Sequence, residues 1–118
     1  MASADGVGCD PVFVHVELKI APGQMARFLD TMQVVAPLMG EAGWNLVGAW
    51  RVRVGEANML RVIWKMASAQ VFFGDRPSLV NHPRFSEFRS LIDAAVLEER
   101  VTMMSAVPYG QSVPEICV

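Results

Sequence analysis

The chain has 118 residues, 53% of them apolar and 19% charged, with a formal net charge of −2. That length supports one hydrophobic core but not two, and so few charges leave more apolar surface than a small monomer hides, so a homo-oligomer is expected. Lys and Arg are scattered and the balance is slightly acidic, which provides no field for a phosphate backbone and excludes nucleic acid as a partner.

Residues 1–11 are small and polar, end in "DP", and read as a flexible leader. "VFVHVELKI" (12–20) is a strand, because His15 and Glu17 alternate with Val14, Val16 and Leu18. "APGQ" turns the chain, with Pro22 expected at or near the first position of a helix. Along that helix Met25, Phe28, Leu29, Met32, Val35 and Leu38 or Met39 form one apolar stripe, and Pro37 should kink or loosen it before "GEAG" ends it. A second strand is predicted from Trp44 to about Val54 and a third from Met59 to Met66, joined by "GEAN" as an antiparallel hairpin in which Asn58 suits a positive φ. Ser68 caps a short irregular helix through Val80, and Asn81 or His82 caps a longer one from Pro83 through "FSEFRSLIDAAVLEER". "VTMMSAVPY" is a final short strand stopped by Pro108, and residues 111–118 form a C-terminal tail.

Strand, helix, strand, strand, helix, strand is the βαββαβ order of an α+β ferredoxin-like fold, a four-stranded antiparallel sheet with helices on one face. The third strand sets Leu60, Val62, Trp64 and Met66 against Arg61, Ile63 and Lys65, and the second sets Trp44, Leu46, Gly48 and Trp50 against Val47 and Ala49. Neither face is polar enough to stand in water, so a second subunit packed sheet to sheet is expected.

"LVGAW" (46–50), Gly55 and Asn58 in the hairpin, "VIWKM" (62–66), the spacing of Arg76, Leu79, Pro83 and Phe85, and "VPY" (107–109) together resemble the NIPSNAP family of the dimeric α/β-barrel superfamily. The resemblance covers the domain at 12–110. It implies paired ferredoxin-like subunits that enclose a barrel, with a cavity in each subunit beside the dimer contact. Relatives in the superfamily include cofactor-free monooxygenases acting on polycyclic aromatic compounds and small proteins of secondary metabolism. In the family register the charged or hydroxylated positions of the first strand fall on Val14, Val16 and Leu18, and a usual histidine of the third falls on Val62. The cavity implied for this chain is therefore apolar and suits a hydrophobic ligand.

Two readings of the site follow. In the first, His15 is a general base and Glu17, two residues along the strand, orients it; imidazole is the side chain suited to taking a phenolic or enolic proton near neutral pH. Trp50 and Trp64 wall an aromatic substrate, Arg51 and Arg61 with Arg53 and Lys65 hold its anion, and Tyr109 closes the mouth. In the second, His15 and Glu17 are the wet side of an ordinary strand, Trp64 is core, and the cations are a solvated face. Alternation points His15 and Glu17 into the barrel; the family register points them away.

The expected function is a small cofactor-independent enzyme, monooxygenase-like or cyclase-like, acting on a hydrophobic or aromatic small molecule, or else a binding or interaction module without catalysis. No cofactor is expected, and with only His15 and His82 as histidines, and Cys9 and Cys117 at opposite ends, no metal motif is present. Free thiols are favoured over a Cys9–Cys117 disulfide. Without a signal-peptide pattern or an apolar run of membrane length, a soluble cytoplasmic protein is expected.

Overall fold

The computed structural model describes residues 11–107. Strands β1 (Val12–Ile20), β2 (Asn45–Arg51), β3 (Met59–Met66) and β4 (Val96–Met104) form one sheet in the order β2-β3-β1-β4, antiparallel throughout. Helix α1 (Met25–Glu41) joins β1 to β2, while the short helices α2 (Ala69–Phe73) and α3 (Pro77–Val80) and the regular α4 (Phe85–Ala95) join β3 to β4. This is the ferredoxin-like architecture expected from the element order.

Burial in β1 alternates without a break: Val12, Val14, Val16, Leu18 and Ile20 are buried, and the residues between them are half-exposed. The buried set meets Leu60, Val62, Trp64 and Met66 of β3 and Met25 and Phe28 of α1, so the core lies between sheet and helices. Removing each such large side chain from water contributes roughly 1.5–3 kcal/mol, enough to fix the register, since a one-residue slip would turn the whole set outward.

Four local expectations are corrected. Pro22 does not open the helix. Ala21 to Gln24 form a turn closed by the Gln24 N–H donating to the Ala21 carbonyl at 3.0 Å, with Gly23 at φ +81°, and Met25 is the first helical residue. Pro at the second position and Gly at the third are what a type II turn requires. Helix α1 runs through Pro37 to Glu41 rather than loosening there. The "LEER" stretch, expected to be helical, belongs to β4. Helix α4 stops at Ala95, and the strand pairs Val96 with Ile20, Glu98 with Lys19 and Arg100 with Glu17. Pairing along the whole of β1, with opposite charges abreast, outweighs the helical preference of a short polar stretch.

The fourth correction concerns β2. Leu46 pairs with Trp64 but Gly48 pairs with Ile63, so Val47 is an extra residue in the ladder. The bulge reverses the facing beyond it. Trp44 and Leu46 stay on the helix side, while Gly48 and Trp50 turn to the opposite, open face. Asn58 has φ 61°, as its place in the hairpin anticipates.

Candidate functional site

Cross-strand pairing arranges the open face in rows. Trp50, Arg61, Glu17 and Arg100 form one row; Gly48, Ile63, His15 and Thr102 the next; Asn45, Lys65, Phe13 and Met104 a third. His15 therefore sits on a central strand with Ile63 on one side, Thr102 on the other and Phe13 two residues away. Its side chain makes no hydrogen bond with another described residue. The alternation reading of β1 agrees with this placement: His15 and Glu17 face the open side, and Val14, Val16 and Leu18 face the helices.

Glu17 is engaged across the strands rather than along its own. Its Oε1 lies 3.7 Å from a guanidinium nitrogen of Arg61, a long ion pair at a half-exposed site, worth at most about 1 kcal/mol. Beyond Glu17 the sheet ends in an open depression of about 540 Å³ bordered by Lys19, Glu56, Met59, Glu98, Glu99 and Arg100. There Lys19 Nζ lies 2.9 Å from Glu56, whose carboxylate, by hydrogen bond and charge, holds the ammonium above its ordinary pKa; Glu98 adds to the effect.

Trp50 lies beside Arg61 with 52% of its surface exposed. Its ring rests on Gly48: a β-carbon there would come within 2.7 Å of Trp50 Cη2. The bulge at Val47 and the glycine together allow the indole to lie along the sheet instead of projecting from it.

Other sequence candidates do not join this group. Trp64 is 5% exposed on the helix side, so the two tryptophans sit on opposite faces and make no common wall. Arg51 pairs with Leu60 and has the helix-side facing, and Arg53 follows the strand, so only Arg61 and Lys65 of the four cations share the open face. The expected cluster fails because the bulge changes the parity of β2. Tyr109, Cys9 and Cys117 lie outside the described residues. His82 forms no side-chain cap on α4; its Nδ1 accepts the Arg84 N–H at 3.1 Å just before that helix, and its ring packs on Phe88.

Sequence reasoning missed an aromatic cluster on the helix side. Trp44 meets Trp64 edge-on at 5.8 Å and stacks with Phe72 at 5.3 Å, and the Arg76 guanidinium lies 5.1 Å from the Trp44 ring centre. These residues come from the approach to β2, from β3, and from the segment holding α2 and α3. No single periodic stretch signals their meeting; only the Arg76 spacing noted above pointed there.

A β2-β3-β1-β4 sheet with helices on one face and a mixed polar and apolar surface on the other is the fold of the dimeric α/β-barrel superfamily. Within it, the chain belongs to the NIPSNAP family, whose pattern matches residues 16–111. It is similar to a NIPSNAP family protein with unknown function from Agrobacterium tumefaciens, at 16% identity and a TM-score of 0.73 over 86% of this chain and 93% of that one. A NIPSNAP-like domain protein from Burkholderia xenovorans is similar at 13% identity and a TM-score of 0.70, over 90% and 93%. SnoaB, a cofactor-independent oxygenase from Streptomyces nogalater, is similar at 17% identity and a TM-score of 0.58, over 90% and 99%. At these identities the likeness is one of fold. No curated protein matches the chain. No helix among the described residues is long and apolar enough to cross a membrane.

Proposed function

We propose that the protein is a cofactor-independent enzyme of the monooxygenase or cyclase type, a homodimer whose subunits meet sheet to sheet and hold a hydrophobic or aromatic small molecule over the open face. The observation that supports this reading is His15, an imidazole with no described hydrogen-bond partner in the middle of that face, on ground supplied by Phe13 and Ile63. A substrate with an acidic C–H or O–H lies across this ground, and the neutral imidazole takes the proton. Arg61, in the next row, offsets the charge of the resulting anion, and Trp50 provides a flat neighbour. In an oxygenase the electron pair left on carbon is then donated to dioxygen; in a cyclase it attacks a carbonyl carbon of the same molecule. The likeness to SnoaB favours the first as an analogy of fold. A cytoplasmic location accords with this chemistry.

One observation favours a second reading, binding without catalysis. Glu17 is turned to Arg61, so it does not orient His15. The test is oxygen uptake and product formation with a panel of aromatic ketones and phenols, for the wild type and His15→Gln. A catalytic base predicts a loss of about 10²- to 10⁴-fold with dimerisation intact. Full turnover by His15→Gln refutes the base, ligand binding without turnover by the wild type establishes the second reading, and a monomer in sedimentation refutes the barrel.

A further inference from the structure

Cross-strand register sets His15 among cations. Its diagonal neighbours on β3 are Arg61 and Lys65, on either side of Ile63, and on β4 Arg100 is diagonal to it beside Thr102. Diagonal positions on one face lie about 7–8 Å apart, within reach of long side chains. The carboxylate nearest along β1, Glu17, is turned to Arg61 at 3.7 Å. Lys65 and Arg100 make no ion pair or side-chain hydrogen bond with another described residue. Farther along the face, Lys19 pairs with Glu56 at 2.9 Å and stands abreast of Glu98. From β2 come Gly48 and Trp50, without charge, and Glu99, abreast of Leu18, has the helix-side facing. With His15 neutral, the open face therefore sets four cations, Lys19, Arg61, Lys65 and Arg100, against three carboxylates, Glu17, Glu56 and Glu98.

Water screens this crowding while the face is open. A second copy laid on it removes the water and brings the same set of groups against it. A neutral imidazole fits such a contact. An imidazolium does not, because it adds a charge beside three cations, its near carboxylate is already engaged, and a charge withdrawn from water without a partner is strongly opposed. We infer that His15 gates the pairing of two copies through their open faces: the dimer closes over the neutral imidazole and separates when His15 takes a proton. The inference rests on the sheet-to-sheet dimer of the proposed function and extends it, since the form of His15 that closes the barrel is the form that can act as a base. Acid then removes activity by parting the subunits as well as by protonating the base. His82 takes no part, for it lies ahead of α4, its Nδ1 accepting the Arg84 N–H and its ring on Phe88.

Each separated subunit binds a proton that the closed dimer excludes, so association is favoured at high pH and lost as pH falls. With two protons taken up per dimer opened, the dissociation constant should rise by about 10²-fold from about pH 7.5 to about pH 5.5, the range in which histidine changes charge. Sedimentation equilibrium of the full chain measures it, and circular dichroism at each pH checks that the subunits stay folded. His15→Gln should hold the constant within about threefold over that range, and His82→Gln should keep the full dependence. Thr102→Glu sets a carboxylate directly opposite His15 and should reduce the dependence at least about tenfold, which decides the matter if His15→Gln does not fold. A wild-type dimer indifferent to pH overturns the gate and leaves the sheet-to-sheet dimer standing, as does a full dependence in His15→Gln or Thr102→Glu. Loss of helical signal along with association also overturns it, since the chain is then unfolding. A monomer at every pH overturns both the gate and the dimer it rests on.

Discussion

Alanine at Gly43 and at Gly48 should have opposite consequences, although an added β-carbon is crowded at both. Gly43 sits between α1 and Trp44 at φ +95°, and its β-carbon would lie 2.9 Å from Val71 Cγ1. A left-handed backbone costs an L-residue about 1–2 kcal/mol, and displacing the half-buried Val71 adds about 1 kcal/mol, for a total of about 2–3 kcal/mol. In melting temperature that is on the order of 10 °C. Gly48 has no such backbone, and what its β-carbon would strike at 2.7 Å is the far end of the half-exposed Trp50 ring. Replacing a strand glycine gains roughly 0.5–1 kcal/mol, and lifting the ring from the sheet loses a similar amount, so within a single subunit the net change stays within about 1 kcal/mol of zero. Urea unfolding at fixed protein concentration measures both, and acrylamide quenching reads the change in Trp50, because Trp44 and Trp64 are buried. If Gly48→Ala is as costly as Gly43→Ala, or if quenching is unchanged, Trp50 does not rest freely on Gly48, and the reasoning fails.

Pro37 lies exposed inside α1 and lacks the N–H that a helix interior uses, so Pro37→Ala should stabilise the protein by about 1–3 kcal/mol in the same urea assay; a loss of stability would show that the proline fits a bend the core requires. Glu87 pairs with Arg84 at 2.9 Å, and the guanidinium, by hydrogen bond and charge, lowers its pKa from the ordinary 4.5. A lowered carboxyl pKa contributes stability above the ordinary value and loses it as pH falls through the folded one. Glu87→Gln should therefore leave unfolding near neutral pH almost unchanged and flatten the decline below pH 4.5, an effect that salt erases. An equally steep decline in the variant would show that the pair does not form in solution.

Where hydrophobic period and pairing agree, the sequence pattern anticipates the structure. The alternation of β1 carries its facing because five apolar residues on one side leave no other register. What the pattern does not carry is parity across an irregularity. Nothing in "NLVGAWR" marks Val47 as a bulge, yet that single extra residue moves Trp50 to the open face, leaves Arg51 on the other, and dissolves the expected cation cluster. The start of β4 is hidden for a related reason. "VLEER" is a plausible helix locally, and its strand identity depends on β1, some 80 residues earlier, offering Lys19 opposite Glu98 and Glu17 opposite Arg100. The Trp44–Arg76 contact is more distant still from any local signal, since it depends on where the connection after β3 comes to rest.

The facing of β1 also determines what chemistry each side of the sheet retains. The positions where the family register sets charged or hydroxylated groups, Val14, Val16 and Leu18, and its histidine position, Val62, are all buried in the core beneath the helices. Each would need a partner if polar, and as aliphatics they need none. The helix side therefore carries aliphatic side chains where such a register would direct polar groups at a ligand. Trp44 Nε1 and the adjacent Arg76 are the donors left without described acceptors there. The open face, by contrast, keeps an imidazole, a carboxylate and several cations on partly apolar ground. Among the described residues, His15 stands on the open face beside Arg61 and Glu17, while the helix side sets Trp44 against Trp64, Phe72 and Arg76. A substitution at His15 should therefore leave the helix-side core intact and the urea unfolding midpoint almost unchanged.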